Sequence, residues 1–260
     1  MIDSIHNTTQ IIVSGHRGYK YAFPENTLLS FQLAIELGVH MLELDLRMSK
    51  DKQVVIIHDE TVDRTTNGSG KVRELTLEEL QLLDAGSWMS PSFAGIKIPT
   101  LEQFCQLMLN YPHVLLNIEI KPSEDALETA DAAVAQLKLF GLYERCVFTS
   151  FDAAIISHLY DCYGAKTQGF RGDKMKNYIE GAHGTYSKMW AIAFEISDLT
   201  RQEVMTFKQM GLQVWSYCPD TEQDVLYSIG AGASVMTCND PSPALHLKQL
   251  LEETPAAASQ

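Results

Sequence analysis

The sequence is short of positive charge. Its 260 residues carry 20 Lys and Arg against 33 Asp and Glu, a formal net charge of −13. That excludes nucleic acid and anionic membrane surfaces as partners, since both are bound through clustered cations. An anionic substrate would have to be drawn in locally, by a metal or by a few placed basic residues. Apolar runs are short, below the roughly 18 residues a spanning helix needs, so no integral membrane segment is expected. The first residues, MIDSIHNTTQ, lack the basic and apolar regions of a signal peptide, and a cytoplasmic protein is expected. The five cysteines form no CxxC pair. Cys105, Cys146, Cys162, Cys218 and Cys238 each fall in an expected strand or helix and read as buried free thiols in a reducing compartment. There is no G-x-S-x-G, and Ser14 has no evident partner, so a serine nucleophile has little to rest on.

What is present centres on MLELDLRMSKDKQVVIIHDE, residues 41–60. It reads as two short strands joined by a Lys-Asp-Lys turn. In the first, Leu42, Leu44 and Leu46 fall on one face and Glu43, Asp45 and Arg47 on the other. Carboxylates two residues apart on a strand lie roughly 6.5–7 Å apart at the backbone, so both side chains can reach one cation. The second strand is apolar and delivers His58 and Asp59 at its end. Taken alone, Glu-x-Asp also describes the wet face of a half-buried sheet. The rest of the chain decides between the two.

An apolar strand at Ile11–Val13 runs into Ser14-Gly15-His16-Arg17-Gly18. The loop around Pro24-Glu25-Asn26-Thr27 caps a helix at Leu28–Leu37, closed by Gly38. Val114–Ile120 is another alternating strand, with Asn117 and Glu119 on one face and Lys121 continuing that parity. Strands at Cys146–Thr149, Lys166–Phe170, Trp190–Ile196, Gln213–Tyr217 and Ser234–Thr237 then alternate with helices. Residues 174–188 read as a loop or lid with a short helix. Nine strands result, but the one ending at His58 follows its predecessor after only a few residues. A parallel pair needs a crossover of about a dozen residues or more, so these two form an antiparallel hairpin. Eight strands remain, which predicts an α/β fold, a (β/α)8 TIM barrel. One domain over residues 1–260 is expected, with an insertion at about 48–111, between the second and third barrel strands.

In such barrels chemistry gathers at the C-terminal strand ends. His16, Arg17, Glu43, Asp45, Glu119, Lys121 and His58 all map there. Glu43, Asp45 and Glu119 are hard oxygen ligands suited to Mg²⁺ or Ca²⁺ more than to zinc. His16 and His58 could share acid and base roles near neutral pH, and Arg17 and Lys121 could hold a phosphate. The set fits in-line displacement at a phosphodiester.

HRG (16–18), PENT (24–27), ELDLRMSKD (43–51), VVIIHDETVDRTTNGSG (54–70), IPTLEQF (98–104), NIEIK (117–121) and SF (150–151) follow one another in an order and spacing that resembles the glycerophosphodiester phosphodiesterase family. The likeness is dense over residues 11–152 and thinner beyond. It implies a barrel with an insertion after its second strand and one divalent cation, Mg²⁺ or Ca²⁺, bound by Glu43, Asp45 and Glu119. It further implies His16 and His58 as the acid/base pair, Arg17 and Lys121 near the phosphate, and hydrolysis of a small-molecule glycerophosphodiester to sn-glycerol 3-phosphate and an alcohol. Two departures stand out. Val214-Trp215-Ser216-Tyr217-Cys218 replaces a vWTvN pattern, leaving Trp215 either an apolar wall for the glycerol or a core tryptophan. Asn239 stands where the family often has Asp, with Asp240 next to it. Asp59 either orients His58 or binds metal, and Glu25 and Asn26 either cap the helix or support the metal site. His6, His40, His113, His158, His183 and His246 are expected on the surface or satisfied in the core.

Two rival functions remain. A lysophospholipase D-like activity would use the same set and need an apolar rim, for which Phe23, Trp88, Met89 and Phe93 are candidates. A non-catalytic barrel that binds glycerophosphoryl ligands would be expected to have lost a histidine. A homodimer is compatible with the sequence.

Overall fold

A computed structural model of the chain describes Ile2, Ile5 and residues 11–253; His6 lies outside the described residues. Strand β1 (Ile12–His16) leads through α1 (Leu28–Leu37) to β2 (Met41–Met48) and the short β3 (Val54–Ile56). Helices α2 (Leu77–Leu82) and α3 (Leu101–Met108) precede β4 (Leu115–Ile120) and α4 (Ala126–Leu139). The chain then alternates: β5 (Cys146–Thr149), α5 (Ala153–Tyr163), β6 (Thr167–Gly169), β7 (Ala191–Glu195), α6 (Arg201–Gln209), β8 (Gln213–Tyr217), α7 (Glu222–Ala231), β9 (Val235–Cys238), α8 (Ser242–Glu253). Residues 174–188 form no α-helix; their one short helical piece is a tight turn at Thr185–Lys188, and another, Gly172–Lys174, leads into them.

Eight parallel strands close into a barrel because β1 pairs with both β2 and β9. The ninth, β3, pairs antiparallel with β2 through Leu46 and Ile56, as the short turn requires. β2 outruns its barrel neighbours: β1 follows it only to Glu43 and β4 to Leu46, and the overhang is what β3 pairs with. The leucine face of β2 packs outward against helices, in one cluster with Phe31, Phe104 and Val134. The barrel interior is filled lower down by Ile12, Met41, Leu115, Val147, Ala191, Trp215 and Val235. A third, smaller core under the β2–β4 connection holds Val55, Ile57, Val62, Val72, Leu80 and Ile98. Burying each such aliphatic side chain contributes ~1.5–3 kcal/mol, so the excursion that carries His58 has apolar support of its own.

All five cysteines are free, but only Cys105, Cys146 and Cys238 are buried. Cys162 is exposed on α5, one turn on from His158, and Cys218 is half-buried just past the end of β8. An i,i+4 neighbour on the outer side of a helix and a residue in a rim loop are both outside the packed layers.

Candidate active site

The register of the barrel brings the acids together. β1 places His16 opposite Glu43, and β4 places Glu119 opposite Asp45. Since alternate residues share a face, Glu43, Asp45 and Glu119 all point inward at the same rim. Their ligand oxygens lie within 4.8 Å of one another. They are not the wet face of a sheet: Glu43 is 3%, Asp45 0% and Glu119 6% exposed.

The strand end after β1 is shaped to reach them. Arg17 takes a left-handed backbone at φ 54°, which aims its N–H at Glu43 Oε2, 2.8 Å away. Gly18 follows at φ 82°, where a Cβ would stand 2.7 Å from the backbone carbon of Ser30. A side chain there would push α1 off the strand end, so the HRG sequence needs its glycine. His58 is brought over the rim by the β2 overhang. Ile57 N donates to Asp45 O at 3.0 Å, and Arg47 Nε donates to His58 O at 2.9 Å.

Two cations share the acidic trio. Lys121 Nζ lies 2.6 Å from Glu119 Oε1 and 2.8 Å from Asp45 Oδ1, and Arg17 Nε lies 3.2 Å from Asp45 Oδ2. Asn26 Nδ2 donates to that same Oδ2 at 2.7 Å. Burial works against the charge on Asp45, but Lys121 and Arg17 overcome it and hold the carboxyl well below the usual range. Glu43 goes the other way: burial, then the charges of Asp45 and Glu119, push it well above the ordinary carboxylate value. Burial raises Glu119 as well. Three inward carboxyl groups face two cations, and among the described residues Glu43 Oε1 is buried without a hydrogen-bond partner. A hard dication fits this donor set, because it would satisfy the orphaned oxygen and cancel the repulsion that raises Glu43.

The two histidines are backed differently. His58 Nδ1 lies 2.6 Å from Asp59 Oδ1, so Asp59 is an orienting partner of the ring. His16 Nδ1 lies 2.7 Å from Asn239 Oδ1, and Nε2 is 3.8 Å from Glu43 Oε2. Burial, then Arg17 and Lys20, lowers His16 to about 3; burial also lowers His58. Glu25 accepts from Arg17 Nη1 at 2.9 Å and from both terminal nitrogens of Arg64. It therefore links the Arg17 side of the site to the excursion, and Asn26 supports the trio directly.

A cavity of about 170 Å³ opens above these residues. His16, Arg17, His58 and Lys121 line one side, and Phe151, Phe170, Ala193 and Tyr217 the other; Asn117, Thr149 and Gln168 lie between. Asn117 and Gln168 are joined by a 3.2 Å hydrogen bond inside the barrel. Trp215 is not on this wall. It is 1% exposed and edge-on to Trp190 at 6.0 Å between ring centroids. Tyr217, two residues nearer the strand end on the same face, takes the place expected of Trp215. Its position at the C-terminal end of β8 was the signal available in the sequence. Asp220 belongs to no motif in the sequence, and Asn239 stands out there only as a departure. A larger groove of about 370 Å³ runs alongside, between Arg47, Arg73, Glu124, Asp152 and Lys176, but holds neither histidine.

Residues 16–242 match the model of the Glycerophosphoryl diester phosphodiesterase family. The chain belongs to this family. It is accordingly a phosphoric diester hydrolase. A glycerophosphodiester phosphodiesterase of Bacillus subtilis is 42% identical over 259 residues, covering 89% of this chain and 84% of that one. YhdW of the same organism is 47% identical over 116 residues, and there the chain spans 48% of the relative's length. Among solved structures, an Oleispira antarctica phosphodiesterase in complex with its product sn-glycerol-3-phosphate has TM-score 0.80 and 26% identity, covering 94% of this chain and 98% of that one.

Proposed function

We propose that this protein hydrolyses glycerophosphodiesters to sn-glycerol 3-phosphate and an alcohol, with one divalent cation, Mg²⁺ or Ca²⁺, held by Glu43, Asp45 and Glu119. The observation that carries the reading is the buried trio, its oxygens within 4.8 Å of one another, on the same cavity wall as His16 and His58. The product bound by the Oleispira relative supports the substrate class.

When bound, the cation supplies Lewis-acid charge to the phosphoryl oxygens. The chain's own residues do the rest. Arg17 and Lys121 present fixed positive charge where the phosphate enters, already desolvated and paired with the acids that hold them. One histidine takes a proton from the attacking nucleophile and the other gives one to the departing alkoxide. Each has its Nδ1 engaged, His16 by Asn239 and His58 by Asp59, which leaves Nε2 for the reaction. Phe151, Phe170 and Tyr217 offer an apolar face to the carbon side of the glycerol.

We place this activity on a single domain spanning residues 1–260, acting in the cytoplasm on a small-molecule substrate. Among the described residues no helix is long and apolar enough to cross a membrane. The test is release of glycerol 3-phosphate from glycerophosphocholine in EDTA, then with Mg²⁺ or Ca²⁺ restored. Metal-dependent release is expected. Choline from lysophosphatidylcholine, with none of this, would hand the site to lipid cleavage, and silence on both would leave a binding barrel.

A further inference from the structure

The loops after β8 and β9 meet behind His16. There the carboxylate of Asp220 collects three donors from the start of the last loop. Its Oδ1 accepts from Asn239 N at 2.7 Å and from Asp240 N at 3.2 Å; its Oδ2 accepts from Asn239 Nδ2 at 2.6 Å. An ionised carboxylate only accepts, so the amide of Asn239 has one orientation: NH₂ toward Asp220, carbonyl oxygen toward His16. That oxygen lies 2.7 Å from His16 Nδ1. The Cys218 thiol, 3.5 Å from both atoms, closes the same corner. An amide oxygen accepts and cannot donate, so the nitrogen facing it must carry the ring proton.

We propose that Asn239 and Asp220 are a positioning pair that holds His16 as the Nδ1–H tautomer, leaving Nε2 as the proton-accepting nitrogen at the cavity. This rests on the reading of His16 as an acid/base residue. The pair acts through hydrogen-bond direction, since Asn239 brings no charge to the ring. His58, with the carboxylate of Asp59 on the same nitrogen, is backed by charge instead. The two histidines are thereby backed by unlike groups, His16 by a neutral amide and His58 by a carboxylate.

The geometry dictates an exchange test. Asp220→Asn keeps an oxygen for the two backbone donors, so it presents NH₂ to Asn239. The Asn239 amide must then flip and turn a donor on His16 Nδ1. Asn239→Asp sets two carboxylates face to face. The double exchange, Asp220→Asn with Asn239→Asp, restores donor to acceptor at both contacts and the same net charge. Long-range ¹⁵N–¹H spectra of histidine-labelled protein, with His16 assigned by its loss in His16→Gln, report the tautomer without turnover.

The Nδ1–H pattern is expected in the wild type and in the double exchange and is lost in Asp220→Asn; Asn239→Asp keeps an acceptor for Nδ1 but sets it against the Asp220 carboxylate. Each single variant should lower kcat by about 10–100-fold, as partners behind an active-site histidine do, with KM within about threefold. The double exchange should recover kcat to within about fivefold of the wild type. An Nε2–H tautomer in the wild type overturns the proposal, as do wild-type rates in both singles or a double exchange no better than either single. Should a single variant fail to fold, the wild-type spectrum and the double exchange still decide. If no glycerophosphodiester is turned over with any metal, the functional reading falls, and the spectra judge the positioning pair on its own.

Discussion

Arg64 grips Glu25 with both ends of its guanidinium, Nη2 to Oε1 at 2.8 Å and Nη1 to Oε2 at 2.9 Å. Its Nε meanwhile donates to Asp59 Oδ2 at 2.6 Å. One side chain thus fastens the excursion that carries His58 to the loop that follows Arg17. Arg64→Lys keeps the charge but cannot form a fork. It should lower kcat by about tenfold through a looser His58, while stability falls by only ~1 kcal/mol because Arg64 is 44% exposed. Calorimetric unfolding and steady-state kinetics read the two separately; unchanged kcat would detach Arg64 from the site.

Glu25 also sets an acid limit. Burial opposes its charge, but the Arg64 hydrogen bonds and the Arg17 charge win and bring it down to about 2. A carboxyl lowered on folding contributes stability that is fully present above its unfolded value and is lost as pH falls through the folded one. The loss should therefore fall between about pH 4.5 and pH 2, and amount to at most ~3 kcal/mol. Denaturant titrations of wild type and Glu25→Gln at pH 6, 4 and 3 should converge on acidification. Parallel curves would show that Glu25 gains nothing from its partners.

Replacing either histidine removes chemistry and not packing, since His16 and His58 are both only part-buried at the cavity. His16→Ala and His58→Ala should each cut kcat by ~10²–10⁴-fold with an unchanged circular dichroism spectrum. Near-normal turnover in either variant takes that residue out of the mechanism.

The metal carboxylates should show opposite effects on binding and folding. Glu43→Gln is expected to weaken Mg²⁺ or Ca²⁺ binding at least ~10-fold by titration calorimetry. In EDTA the same variant should melt higher than wild type, because it removes a buried carboxyl that burial, Asp45 and Glu119 all disfavour. A lower melting point in EDTA would mean that Glu43 is satisfied without a cation.

Tyr217 and Trp215 should separate binding from stability. Tyr217→Ala is expected to raise KM several-fold and leave folding intact, since Tyr217 lines the cavity. Trp215→Ala leaves a cavity in the barrel interior and should cost ~3–5 kcal/mol. Substrate affinity lost equally in both would return Trp215 to the wall.

Much of this was legible in the chain. The period of two in LELDLR assigns Glu43 and Asp45 to one face, and NIEIK repeats that rule for Asn117 and Glu119. The short turn before Val54 forbids a parallel partner, which leaves eight strands for the barrel. These are local consequences of strand geometry, and they hold whatever the rest of the molecule does. Three things were decided only by the tertiary structure. That the carboxylate face is dry follows from closing β1 against β9, which turns one face of every strand inward. That Tyr217 and not Trp215 meets the cavity depends on how deep each lies in the closed barrel, a distance no periodicity records. That Asn239 stands behind His16 joins residues 223 apart in sequence. A hydrogen bond across such a separation leaves no trace in local pattern, because barrel closure alone brings the two loops together.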